Sequence, residues 1–231
     1  MTQDKSSGRF ASPACMASEI APDYFDPLGV DPEQERDVAR WRKAKRAELL
    51  ANRRAMSVEA QSAMGAAIAG HLLSLLTTRL NGARGHVFSG YWPIKGEPDL
   101  RAVMADMDSA GVIVALPVVE TRAAPLVFRR WRPGMTMVRG DWNIPVPPPD
   151  AAEVLPDIVL APVMGWDVAG YRLGYGGGYF DRTLAALQPR PFSIGIGSDA
   201  ARLATIFPQP HDIALDIIVT ENGIHQKETE S

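Results

Sequence analysis

At 231 residues and 46% hydrophobic content, the chain is long enough for one substantial core and has the composition of a globular protein. A net charge of −3, from 24 basic against 27 acidic residues, leaves no general field to draw nucleic acid or an anionic membrane. The single cysteine, Cys15, excludes an internal disulfide and a cysteine-based zinc cluster, and a reducing compartment fits. No basic start leads into an apolar run of signal-peptide type. The most apolar run, 112–119, is too short for a bilayer and contains Pro117, so a cytoplasmic location is expected.

Residues 1–32 mix Ser, Pro, Asp and Gly without a sustained period and read as a disordered or loosely docked extension, on which Tyr24, Phe25 and Leu28 are candidates for docking. From Glu33 a helix is predicted, with Val38, Trp41, Leu49 and Leu50 for its apolar side and a run of Arg and Lys around it. Ser57 caps a second helix, where Met64, Ile68, Leu72 and Leu75 recur at helical spacing and Gly82 and Gly85 end the unit.

Alternating strands and helices follow: a strand over 86–92, a helix over 99–108, strands over 112–119 and 126–131, and a turn-rich stretch through 134–149. The run 157–163 is continuously apolar, as in a strand buried on both faces, and leads straight into a glycine-rich segment. A helix from Tyr179 and strands over 192–196 and 216–220 complete a body over 33–225, with a polar tail over 226–231. The pattern is that of a single three-layer α/β/α domain with a parallel or mixed central sheet. Ligands in such sheets collect at the carboxyl ends of strands, so 92–97, 119–122, 165–179 and 197–202 are the expected site walls.

Residues 172–182 read Arg-Leu-Gly-Tyr-Gly-Gly-Gly-Tyr-Phe-Asp-Arg. Glycines let bare N–H groups approach a ligand, and a helix opening at Tyr179 adds a dipole that favours phosphate. Arg172 and Arg182 are placed to pair with phosphate oxygens and Asp181 to hold a bridging metal ion. No Gly-Lys pair of a Walker A sequence occurs, and the glycine intervals do not fit a dinucleotide fingerprint. A flexible connector is the competing reading, but it needs neither the tyrosines nor the bracketing arginines.

The segment Arg172–Asp181 resembles the signature of the 5-formyltetrahydrofolate cyclo-ligase family, also called 5,10-methenyltetrahydrofolate synthetase. The likeness extends to Arg53-Arg54-Ala55-Met56-Ser57, Tyr91-Trp92-Pro93 with Glu97, Trp142-Asn143-Ile144-Pro145, Leu160-Ala161-Pro162, His211-Asp212 and Asp216 to Glu221. The resemblance implies ATP-dependent cyclisation of 5-formyltetrahydrofolate to 5,10-methenyltetrahydrofolate, with ADP and phosphate released by way of a phosphorylated formyl oxygen. It assigns ATP to Arg172, Leu173, Gly174, Tyr175, Gly176, Gly177, Gly178, Tyr179 and Phe180, and to Arg42, Lys43 and Arg46 of the opening helix. Folate falls to Arg46, Trp92, Glu97 and the stretch from Tyr175 through Gly176, Gly177 and Gly178 to Tyr179. Asp181 and Asp212 fall on magnesium positions.

The chain departs from the family pattern at Arg42, where a lysine is expected, and Lys43 beside it reaches the same region. Glu97 has a competing role as a cap for the helix near Asp99, Trp92 as core, and the basic helix as a solvated face. A family member that binds folate or nucleotide without turnover is the alternative. An enzyme of similar fold acting on a phosphosugar or a CoA thioester leaves Trp92 and Glu97 without a role. Neither nucleic acid, nor membrane, nor a protein partner is expected.

Overall fold

The computed structural model describes residues 32–227. The extension expected over 1–32 therefore lies outside the described residues except for Pro32, as do Cys15 and the end of the tail. The first helix, α1 (Pro32–Ala55), opens with Glu33 and Glu35 and closes with Arg53 and Arg54, charges that complement its dipole. The chain divides into two units between Trp41 and Arg42, within this helix. Of the first unit only the opening turns of α1 are described.

In the second unit, Ser57 accepts a hydrogen bond from the Ala60 N–H at 3.1 Å and so starts α2 (Val58–Leu80), which Asn81 ends in a left-handed conformation. Ile68, Leu72, Leu75 and Leu76 form its buried stripe. The helix is long and apolar enough to cross a membrane by length and composition. Its stripe is instead packed into the main core, where a core helix of a globular domain belongs.

The sheet runs β1 (Val87–Ser89), β2 (Ile113–Val118), β3 (Val127–Arg130), β6 (Ile158–Pro162), β9 (Phe192–Ile196), β11 (Ile217–Thr220) and β12 (Gly223–Gln226). In space the order is β12-β11-β9-β6-β1-β2-β3, with both edge strands antiparallel and the five inner strands parallel. β6 is central, and its Ile158, Val159, Leu160 and Ala161 are all buried, as a strand covered on both faces requires. Alternation sorts the side chains: Ile158 and Leu160 face a core shared with α2 and α3 (Arg101–Ser109), while Val159 faces α4 (Tyr179–Ala186). The result is three layers with helices on both faces.

Chain order along the sheet reverses between β1 and β6. From β1 the chain moves through α3 to β2 on one side. From β6 it moves through α4 to β9 and then β11 on the other. Such a reversal opens a crevice beyond the carboxyl ends of the two strands. Three short strands form a second, smaller sheet: β7 (Gly165–Asp167) pairs with β8 (Arg172–Leu173) and with β10 (Arg202–Leu203). Asp167, 3% exposed, supports it by accepting from the N–H groups of Tyr171 and Ile206, each at 3.1 Å. A two-stranded ribbon, β4 (Val138–Arg139) with β5 (Pro145–Val146), carries Trp142 in its connection.

The expected elements are present, with changes at their ends. The strand expected over 86–92 stops at Ser89, and the helix expected from 99 starts at Arg101. The strand expected to be last is followed by β12, which contains His225 and ends at Gln226, one residue inside the segment read as a polar tail. His225 is held there by Thr220 Oγ1 at 2.9 Å and faces Trp166, with ring centroids 4.7 Å apart.

Candidate active site

Two loops leave the strands that flank the reversal. After β1, the Tyr91 hydroxyl donates to the Pro98 carbonyl at 2.7 Å and closes a loop that projects Trp92, half-buried under the Arg101 guanidinium at 5.1 Å. Within it, Glu97 N–H donates to the Ile94 carbonyl at 3.0 Å, and the Glu97 carboxylate accepts from the Ile94 N–H at 2.9 Å. Glu97 thus closes its own turn and does not cap α3. It is 8% exposed, and burial pushes its carboxyl up to about 7 against the pull of the Ile94 N–H, Arg53, Tyr175 and Lys95.

The second loop is the glycine segment after β8. Gly176 and Gly178 take φ of 97° and 63°, which a side chain disfavours, and Gly178 delivers the chain into α4. Tyr175 stands at its tip. Burial and the nearby Glu97 carboxylate push the titration of its hydroxyl up, and Lys95 Nζ lies 4.7 Å from its ring. The two loops therefore meet at Tyr175. Farther along, Tyr179 packs edge-on against Trp142 at 5.5 Å, and Trp142 is 66% exposed.

The second half of α1 crosses these loops. Arg42, Arg46, Leu49 and Arg53 share one stripe of the helix at a spacing of four, three and four. The run of basic residues expected around an apolar side is therefore partly on the buried side, since Arg42 and Arg53 are each 8% exposed. Arg42 donates to the carbonyls of Ile206 and Phe207 at 3.1 and 2.8 Å and pairs with Asp212. Arg46 donates from Nε to the Gly174 carbonyl at 2.8 Å, its other nitrogens making no hydrogen bond among the described residues. Its guanidinium faces Gly176. Burial and the neighbouring Arg42 lower its pKa, while Asp212 raises it. Lys43 is exposed and lies off this stripe.

Arg172, 8% exposed, is bound by both oxygens of Asp181 at 2.9 and 3.0 Å and lies 5.6 Å from the Phe180 ring. Asp181 also accepts from the Ile213 N–H at 3.1 Å, which brings it beside Asp212. Burial pushes the Asp212 carboxyl up, but the Arg42 hydrogen bonds and the Gln209 N–H outweigh it and hold it below the usual carboxylate range. Leu173 is wholly buried, so it offers the crevice only backbone. Arg182 folds back onto the Gly177 carbonyl at 2.6 Å.

The fold thus brings the 92–97 turn and Arg46 up to the glycine loop, at Tyr175 and Gly174, and pairs each of Asp181 and Asp212 with an arginine. Reading the sequence missed Arg53, Lys95 and Trp142 as site neighbours. Arg53 was findable as the continuation of the Arg42–Arg46–Leu49 spacing. Lys95 and Trp142 hold left-handed conformations that only the folded backbone reveals.

Residues 38–221 match the 5-formyltetrahydrofolate cyclo-ligase family. The chain is 32% identical over 183 residues to a 5-formyltetrahydrofolate cyclo-ligase of Mycolicibacterium smegmatis, covering 76% of this chain and 91% of the relative. It is 29% identical over 178 residues to that of Escherichia coli K12, covering 74% and 96%. In fold it is similar to the 5,10-methenyltetrahydrofolate synthetase of Aquifex aeolicus, with a TM-score of 0.67, 24% identity, and coverage of 82% of this chain and 94% of the other. The corresponding figures for that of Mycoplasma pneumoniae are 0.63, 23%, 78% and 98%. The chain belongs to the 5-formyltetrahydrofolate cyclo-ligase family.

Proposed function

We propose that this protein catalyses the ATP-dependent cyclisation of 5-formyltetrahydrofolate to 5,10-methenyltetrahydrofolate, with release of ADP and phosphate. The observation that carries this reading is the meeting of the 92–97 turn with the glycine loop, where Lys95 Nζ lies 4.7 Å from the Tyr175 ring and the Glu97 carboxylate acts on the Tyr175 hydroxyl. A loop suited to folate and a loop suited to polyphosphate are joined there, and the reaction needs a formyl oxygen beside a γ-phosphorus.

In the proposed course, the formyl oxygen attacks the γ-phosphorus and ADP leaves, giving an imidate-type phosphate. N10 then attacks the formyl carbon, the C–O bond breaks with loss of phosphate, and the N10 proton is released as the methenyl bridge forms. No protein nucleophile is needed. Catalysis rests on alignment and on neutralising phosphoryl charge. The Glu97 carboxylate accepts hydrogen bonds from pterin N–H groups, Trp92 and Tyr175 border the ring, and Arg46 turns its open nitrogens toward phosphate. The bare N–H groups of the glycine loop take the rest of the triphosphate.

Magnesium fits this site only as a partner of ATP. Among the described residues no three His, Cys, Asp or Glu side chains are grouped to hold an ion. Asp181 and Asp212 offer two carboxylates, each shared with an arginine, and that set suits a cation completed by phosphate oxygens and water. Bound there, it would supply charge neutralisation and a fixed geometry for the phosphates.

The same two ion pairs favour the second reading, binding without turnover, because they occupy the carboxylates and arginines with each other. One assay separates the two. Purified protein is mixed with 5-formyltetrahydrofolate, ATP and magnesium, and methenyl absorbance and phosphate release are followed together. Equal ATP-dependent appearance of both products is expected; binding of either ligand without product would sink the catalytic reading.

A glycine substitution tests the loop itself. A Cβ at Gly177 would lie 2.7 Å from two ring carbons of Tyr179, so Gly177→Ala must turn that ring away from Trp142. A rise of about tenfold in KM, worth about 1.4 kcal/mol, is expected with little change in thermal midpoint. A KM equal to that of the parent protein would remove Tyr179 from the binding surface.

A further inference from the structure

Arg53 lies at the end of the α1 stripe and is 8% exposed. Its NH2 donates to the carbonyl of Val163, the first residue past β6, at 2.7 Å. Its stem passes Gly96, with Cγ 3.4 Å from where a Cβ would stand. Its charge acts on the Glu97 carboxyl and on the Tyr175 hydroxyl. NH1 is buried without a hydrogen-bond partner among the described residues. A buried cation with an unsatisfied donor is a poor stabiliser, and an apolar side chain of similar length often serves the fold as well. The placement of Arg53 is explained better by what it does to its neighbours.

We propose that Arg53 is the positioning residue that holds the 92–97 turn at the strand reversal: anchored on Val163 and packed along Gly96, it presents its charge to Glu97 where the turn faces the glycine loop. This rests on the reading of Glu97 as the pterin acceptor. Among the other groups around Glu97, Lys95 is the second cation but is exposed, so solvent screens it. Tyr91 and Tyr175 are the titratable hydroxyls, Asp99 acts on Tyr91, and Gln61 of α2, which lies beside Gly96, is neutral. Arg53 is the cation withdrawn from water, and its removal leaves burial of the carboxylate opposed by hydrogen bonds and a screened ammonium.

The test is titration of the Glu97 carboxyl by carbon NMR on protein labelled at glutamate carboxyls, with Glu97→Gln identifying the signal. The midpoint near 7 is expected to rise by about one pH unit or more in Arg53→Met. It should return in Arg53→Lys and stay in place in Arg54→Met, which alters an exposed neighbour. Arg53→Gln keeps a donor for the Val163 carbonyl without the charge and decides the point if the methionine variant does not fold. In parallel, binding of 5-formyltetrahydrofolate without ATP, followed by tryptophan fluorescence, should weaken about fivefold or more at pH 7 in the uncharged variants. A folded uncharged variant whose Glu97 titrates as in the parent overturns the proposal, whatever happens to turnover. Glu97→Gln protein that binds the folate as tightly as the parent overturns the pterin reading instead, and the NMR midpoints still decide the part played by Arg53.

Discussion

Asp181→Asn is expected to lower both the thermal midpoint and the turnover of this protein, by about 10 °C and at least about a hundredfold. The structural part follows from Arg172, whose side chain is 5% exposed and is held by both Asp181 oxygens at 2.9 and 3.0 Å. An asparagine supplies one acceptor oxygen where two serve three donors, and in either orientation turns an N–H₂ toward an Arg172 nitrogen. Breaking a buried pair from one side costs about 3–5 kcal/mol; the 15% exposure of Asp181 places this pair at the lower end. Removing both partners, as in Arg172→Met with Asp181→Asn, should recover much of the stability and none of the activity. That double variant separates the fold from the chemistry. Turnover of Asp181→Asn at limiting magnesium equal to that of the parent, measured below its unfolding range, would exclude Asp181 from the metal site.

Glu97→Gln is expected to do the opposite to stability, making the protein more stable at pH 8 by about 3 kcal/mol while weakening folate binding. The folded pKa of about 7 stands above the ordinary 4.5, so folding favours the protonated carboxyl. That contribution is fully present below pH 4.5 and is lost as pH rises through 7. Glutamine resembles the protonated acid and loses nothing, so the gap between the two proteins opens from pH 4.5 to about 7 and then stays constant. Urea unfolding of both proteins at several pH values measures it. Curves that coincide from pH 5 to 8 would show that Glu97 is not held up by burial. The native residue is then one kept at a cost to stability, as expected where a charge is needed for binding.

Much of the fold was legible because it is written in local patterns. The Ser57 cap and the Met64–Ile68–Leu72 spacing define α2, and the apolar run at 158–162 can only be a covered strand or a buried helix segment too short to last. What escaped depends on distant partners. β12 has two half-buried and two exposed residues, a pattern too polar to read as a strand until β11 offers it an edge. β7, β8 and β10 are two or three residues long and exist only through pairing with one another.

The site was legible in a similar sense. Four glycines, two tyrosines and Asp181 lie together in 172–182, but the charges that face them from α1 and the 92–97 turn lie far away in sequence. Arg42 and Asp212 are 170 positions apart, and a run of basic residues on a helix gives no sign that two of them will be buried. Neither does the sequence of the 92–97 turn reveal that Glu97 will end under Arg53 and Tyr175.

The helix that crosses the crevice also fixes when the site comes into being. Its arginines are made early, whereas Ile206, Phe207 and Asp212, which receive Arg42, are made about 170 residues later. At roughly 5–20 residues per second, the arginine face of α1 leaves the ribosome some ten to thirty seconds before its acceptors exist. A nascent chain therefore has its cations, and then its glycine loop, before it has the Asp212 carboxylate that completes the crevice. Nucleotide capture becomes a property of the finished chain, and truncation before Asp212 should leave the loop without it.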